Sequence, residues 1–335
     1  MFKLNLSPLF LALFLVACGG GGGGGGSDPG PGPGGGLSIP SVTIISYDLE
    51  VEVGLQATLE WSSRNSTSCT ASGAWSGTKG TGGTEVITVS QAGTNTYTLS
   101  CSNSSSSASS SVSVLGYRMF SGIVLDGYIR GSEVFNDTND NNELDTDEFS
   151  VLTNNNGVFS DLKFYQGKIL ARDGIDLDTG FIFENFTLQT QASNDSTDYI
   201  ISPVTSVGTY LANPLDINKI FGISSEIDVY SDDPIPLIDD TKYANLYSIG
   251  NRLTVLAMGV QNFEATNKDL LSYINVIASE AQTSYNNNAV SVQIDDPIFV
   301  RSVLDTILDT GVTDDFKSSL TTMLSNSLYL LQVRD

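Results

Sequence analysis

Histidine is absent from all 335 residues. That removes Ser-His-Asp and Cys-His nucleophilic machinery, together with every zinc site built on imidazole. Basic residues are scarce, 15 Lys and Arg against 38 Asp and Glu, for a formal charge of −23. Nearly all of the acidic excess follows Tyr117. Such a surface repels nucleic acid and anionic lipid and attracts divalent cations. No GxSxG, GxxxxGK[ST] or GxGxxG segment stands between a strand and a helix, so no nucleophile elbow or phosphate loop is in view. No pair of carboxylates is singled out for glycoside cleavage. The chain is therefore expected not to be an enzyme.

Cysteine and long apolar runs are also scarce. Residues 9–17 form an unbroken apolar run behind Lys3. That is too short for a membrane span, which needs roughly 20 apolar residues, and fits the core of a signal peptide. The run ends Leu15-Val16-Ala17-Cys18-Gly19. "LVAC" resembles the lipobox of bacterial lipoproteins, in which the Cys thiol receives a diacylglyceryl group and the preceding peptide is removed. The resemblance implies a signal peptide over 1–17, lipidation of Cys18 and a cell-envelope location. Gly19 after the Cys resembles the pattern that sends such proteins to the outer membrane. Residues 18–36 are almost entirely Gly and Pro after the Cys, a tether with a reach on the order of 20–25 Å. With Cys18 lipidated, Cys69 and Cys101 remain, and an oxidising compartment favours a bridge between them over two free thiols.

Residues 37–116 read as all-β. "SVTIIS", "LEVEV", "ATLEW", "EVITVS", "TYTLSC" and "SVSVLG" alternate in period two between Gly, Asn and Ser clusters, the pattern of a small sandwich. Leu59 and Trp61 share one face of their strand, and Tyr97, Leu99 and Cys101 share a face of theirs. The segments "LEWSSRNSTSCTASGAWSG" and "TYTLSC" resemble the bacterial Ig-like modules of cell-surface proteins. Trp61 stands where antibody-type domains carry a Cys, so the bridge must join a different strand pair. The Ser-rich run 102–111 leads into Val112 and Val114, and its second half is expected to begin the last strand.

Residues 117–200 continue with strand-like segments, and the period then changes. Leu246, Ile249, Leu253, Leu256, Val260 and Phe263 recur at three- and four-residue spacing, the stripe of an amphipathic helix. Leu270, Ile274, Ile277 and Ala281 make a second stripe. Asp296-Pro297 opens a third helix through Val303, Leu304 and Ile307. Phe316, Leu320, Leu324 and Leu331 mark a fourth. The expected fold is thus mainly β, an Ig-like sandwich followed by a calcium-loop sandwich, with about four amphipathic helices over 201–335.

The sharpest site signal is "DTNDNNELDTDE" at 137–148. Asp137, Asn139 and Asn141 occupy positions one, three and five of a twelve-residue calcium loop. Glu143 offers its carbonyl at seven, Asp145 stands at nine, and Glu148 is placed for bidentate closure at twelve. Such oxygens suit a hard cation that takes six to eight of them. Leu144 is positioned to pin the loop to the core. Asn142 replaces the usual Gly at position six, and Asn tolerates the left-handed turn required there. The competing account is a solvated Asp/Asn turn. "GYIRGSEVFNDTNDNNELDTDEFSVLTNNNGVFSDL" resembles the calcium-loaded B-type repeats of bacterial adhesins, β-sandwiches related to carboxypeptidase-regulatory-like domains. This implies bound Ca2+ with a structural role. Asp173, Asp176 and Asp178 match no ion loop and are expected in a surface turn. The pairs Asp232-Asp233 and Asp239-Asp240 are expected as turn and cap residues.

These features imply a lipid-anchored, calcium-stabilised envelope protein that adheres to, or binds, a protein or glycan partner at the cell surface, with no nucleic acid. The alternative is a carbohydrate-binding accessory protein or a divergent carboxylate-dependent hydrolase, marked by an exposed aromatic platform or a cleft with paired carboxylates.

Overall fold

The computed structural model describes residues 38–192, 198–263, 268–308 and 312–334. The expected signal peptide, Cys18 and the tether lie outside these residues. Among the described residues, fifteen strands come first and six α-helices follow. The fold is mainly β with a helical C-terminal region.

Eight strands open the chain: β1 (Ser41–Ser46), β2 (Glu50–Glu52), β3 (Gln56–Arg64), β4 (Ser68–Gly73), β5 (Gly77–Lys79), β6 (Gly82–Thr88), β7 (Gly93–Ser102) and β8 (Ser107–Val124). One sheet runs β1-β3-β6, all antiparallel. A second runs β5-β4-β7-β8, with β2 parallel to β8. Alternation decides what they enclose. Leu59 and Trp61 from the first sheet meet Tyr97, Leu99 and Cys101 from the second in one buried cluster. Trp61 and Trp75 pack edge to face at 5.5 Å, and both indole N–H groups find backbone carbonyls, those of Gly80 and Thr98. Both tryptophans are therefore core residues with a satisfied polar edge, not a surface platform.

β8 is 18 residues long and serves two sheets in succession. Its first half pairs with β7, from Ser107 opposite Ser102 to Gly116 opposite Gly93. Its second half pairs with β12 (Val158–Phe164) and, in parallel, with β15 (Asp198–Ile201). The expected boundary between residues 116 and 117 thus falls inside a continuous strand. Gly122 permits the close approach of β15, because a Cβ there would stand 2.1 Å from the Tyr199 carbonyl oxygen.

The other strands are β9 (Ile129–Arg130), β10 (Glu133–Asp137), β11 (Ser150–Leu152), β13 (Lys168–Asp176) and β14 (Ile182–Gln191). They form the sheet β11-β10-β13-β14, with β9 on β13. The helices are α1 (Pro203–Gly208), α2 (Ile217–Phe221), α3 (Thr241–Phe263), α4 (Leu270–Asn288), α5 (Pro297–Ile307) and α6 (Asp314–Arg334). The four long ones stand where the apolar stripes put them. Asp296 caps α5 by accepting from the Ile298 N–H at 2.9 Å, with Pro297 in the first turn, as a helix start requires.

The helices share a core with the second set of strands. Val134, Phe135, Ile169, Leu170 and Leu188 belong to one buried cluster with Leu253, Leu256, Ile277, Val303 and Leu324. α1 joins the layers and is wholly buried. Its hydroxyls are tied down: Gln189 N–H donates to Ser206 Oγ at 2.8 Å, and the Thr205 hydroxyl donates to the Gln189 carbonyl at 3.0 Å. Three members of the expected stripes, Phe263, Phe316 and Leu331, stay outside the core. Phe263 and Phe316 are each nearly half exposed and meet each other, ring centroids 6.5 Å apart.

Candidate functional site

The 137–148 segment connects β10 to β11, two antiparallel neighbours paired Phe135 to Ser150 and Val134 to Val151. The loop therefore hangs from a β-hairpin rather than between two helices. β10 delivers Asp137 fully buried at its end. Asn136 beside it donates to the carbonyls of Gln166 and Lys168 and accepts from the Tyr165 N–H, which fixes the strand end against the next turn.

The loop coils around the Asp137 carboxylate. Oδ1 accepts from the N–H groups of Asn139, Asp140 and Asn141, at 3.3, 2.7 and 3.3 Å, and Oδ2 accepts from Asn142 N–H at 3.0 Å. Glu148 closes the ring. Its Oε1 accepts from Thr138 N–H at 2.6 Å and its Oε2 from Asp145 N–H at 3.2 Å. Asn139 and Asn141 each donate an amide N–H to Asp145 Oδ2, at 2.7 and 2.9 Å. Asn142 takes the left-handed conformation expected of it, φ 61°, and so does Asp140, φ 63°. Leu144 packs against the core.

All six sequence-derived positions, Asp137, Asn139, Asn141, Glu143, Asp145 and Glu148, thus lie in one loop. Asp137 and Glu148 are satisfied mainly by backbone N–H groups of the loop, and Asp145 by the side chains of Asn139 and Asn141. Among the described residues, no group of three or more Asp, Glu, Cys or His side chains is gathered as a metal cluster. The donors available are oxygens only, the chemistry a calcium ion selects. Asn139 and Asn141 present N–H to Asp145, and a half-turn of each terminal amide would present oxygen instead. That torsion is soft.

The other acidic segments do separate jobs. Asp176 is buried and anchors the β13–β14 turn, accepting from Asp178 N–H at 2.9 Å and from the Thr179 hydroxyl. Asp173 sits in a bulge, where the β13–β14 register shifts between Arg172 and Gly174. Asp233 accepts from Ile235 N–H and Asp240 from Lys242 N–H, turn and cap roles as expected.

Sequence reasoning missed Asp126. It follows β8 in a turn, where Asp-Gly suggests solvent. Instead Thr254 of α3 donates to it at 3.0 Å. Burial raises its pKa from the ordinary carboxylate range to about 7. The Asp176 charge pushes the same way, and the Thr254 hydrogen bond opposes both.

The pairing of Cys69 with Cys101 is present, joining directly opposed residues of adjacent strands β4 and β7. Among the described residues, no helix is long and apolar enough to cross a membrane. No family model matches this chain, and no curated protein matches it either.

Proposed function

We propose that this chain is a non-enzymatic, lipid-anchored protein of the bacterial cell envelope, stabilised by calcium and acting in surface adhesion or partner binding. The observation that carries the reading is the 137–148 loop. A buried Asp137 collects four backbone N–H groups, and every remaining candidate ligand is an oxygen donor. Asp137, Asn139, Asn141, Asp145 and Glu148 would hold the ion with the Glu143 carbonyl. When bound, calcium neutralises the carboxylates and ties β10 to β11. Extracellular modules bind it at about 10⁻⁴–10⁻³ M, a range that suits an ion abundant outside the cell.

The modular reading supports the same role. Two cores packed around one continuous strand suit a stalk and head: an Ig-like sandwich of β1–β8, then a B-type sandwich backed by helices. Cys18 would carry the lipid and 18–36 the tether, with the outer membrane as the expected address. Isothermal titration of the full chain with calcium tests the ion. One site per chain in the micromolar to millimolar range is expected, lost in Asp145→Asn/Glu148→Gln. Absence of heat in the intact chain rejects the loop as a site. Labelled palmitate tests the anchor, with incorporation expected in the full chain and lost in Cys18→Ser.

A further inference from the structure

Two hollows adjoin along β13 and β14. The larger, about 620 Å³, is walled by the loop residues Asn142 and Glu143, by Asn185 of β14, and by Gln261 and Asn262 at the end of α3. The smaller, about 430 Å³, lies between Arg130, Asn155 and Phe183. Asp173 and Glu184 line both, so the two make one groove that passes over this carboxylate pair.

The groove has a chemical gradient along it. Every side chain lining the larger part is polar: four carboxamides, four carboxylates, Arg172, Lys268 and Thr187. Arg172 is held in place by two bonds to Glu133 Oε2, from Nε at 3.0 Å and Nη2 at 2.7 Å. The bulge shapes the wall, with Asp173 and Asn185 both left-handed at φ 55° and 58°; bulges re-aim side chains in this way. The smaller part adds apolar surface from Ile175, Ile182 and Phe183. Phe181, half exposed, packs on Phe183 with centroids 5.1 Å apart.

We propose that this groove binds a neutral glycan chain; the inference rests on the surface-binder reading above and names its partner. Carboxamides and carboxylates offer paired planar donors and acceptors that match adjacent sugar hydroxyls, and Arg does the same. A pyranose ring also has C–H faces, which Ile182, well exposed in the smaller part, accommodates. Charge selects among glycans. Glu143, Asp173, Glu184 and Asp269 outnumber Arg172 and Lys268 on the walls, and the chain carries −23, so an anionic polymer is repelled.

Affinity electrophoresis of the full-length chain in neutral detergent tests this. The gels hold a neutral glucan, mannan, galactan or xylan, with alginate as the anionic comparison. Retardation is expected in at least one neutral gel and not in alginate. Glu184→Ala/Asn185→Gly should weaken it about tenfold or more, from the loss of two hydrogen-bonding groups. Glycine accepts the left-handed φ at 185, so the melting temperature should hold. No retardation in any neutral gel, retardation in alginate alone, or retardation unchanged in the variant overturns the proposal. Calcium-dependent melting of the same samples separates the two readings. A calcium shift without retardation rejects the glycan and keeps the calcium-stabilised binder. Retardation without a calcium shift keeps the groove and rejects the ion.

Discussion

The Thr254 hydroxyl donates to Asp126 Oδ1 across 3.0 Å, so the turn that ends β8 is bonded to the middle of α3. Asp176, Asp178 and Tyr247 crowd the same place. A Cβ on Gly127 would stand 2.3 Å from Asp176 Oδ1, and the Tyr247 hydroxyl donates to Asp178 at 3.5 Å. Burial, with the Asp176 charge adding to it, disfavours charge on Asp126 in the folded state and puts its pKa at about 7.

A pH dependence of stability follows. The folded pKa lies above the unfolded one, so between about pH 4 and pH 7 the native state holds a proton that the unfolded chain has released. Stability should fall as pH rises through this window, by an amount on the order of a few kcal/mol. Burial also raises the pKa of Asp269, which contributes with the same sign. Asp126→Asn keeps an acceptor for Thr254 and should flatten most of the slope in urea titrations run across this range. An unchanged slope would place the proton elsewhere.

Reduction of the Cys69–Cys101 bridge should loosen the first sandwich. The separation is 32 residues, for which the chain-entropy argument gives roughly 3–4 kcal/mol. Cys69→Ala/Cys101→Ala should lower the midpoint of the β1–β8 core while leaving the helices protected. Hydrogen exchange at Leu99 and at Leu253 reads the two cores separately.

The sheet of β10, β13 and β14 and the long helices should unfold together, because one buried cluster contains them all. Leu256 is fully buried on α3, and Leu256→Ala should cost about 2–5 kcal/mol. Protection of Ile169 and Leu188 amides should drop in parallel with that of α3. If only the helices lost protection, the shared core would not be one cooperative unit.

Local periodicity made most of the elements legible. The period-two runs place Leu59, Trp61, Tyr97 and Leu99 inward, and all four are buried. The three- and four-residue stripes place α3 to α6, and Asp296-Pro297 marks the start of α5. The start of β8 in the Ser-rich run was also readable, with Ser107 as its first residue. Its continuation past Gly116 was not, because a strand shared by two sheets alternates like two short strands in series. The common core was hidden for a related reason. A stripe says that Leu256 is buried, not that Ile169 lies in the same cluster. Asp126-Gly127 has the composition of an exposed turn, and only the packing of α3 reveals that Asp126 is largely withdrawn from solvent. Asn142 was the reverse case, since the loop position itself demands the left-handed backbone that it shows. The groove over Asp173 and Glu184 has no sequence signature, because its walls come from stretches of chain as far apart as Arg130 and Asp269.

Thermal unfolding of the full-length chain, with millimolar calcium and with chelator, tests the central claim most directly. Calcium should raise the melting temperature, and Asp145→Asn/Glu148→Gln should abolish the rise. Asp137→Ala should lower the melting temperature even in chelator, since it leaves four backbone N–H groups without their acceptor, a loss of about 1–3 kcal/mol. Coincident curves for the intact chain in calcium and in chelator would contradict the account, and 137–148 would then be an acidic turn braced by its own hydrogen bonds.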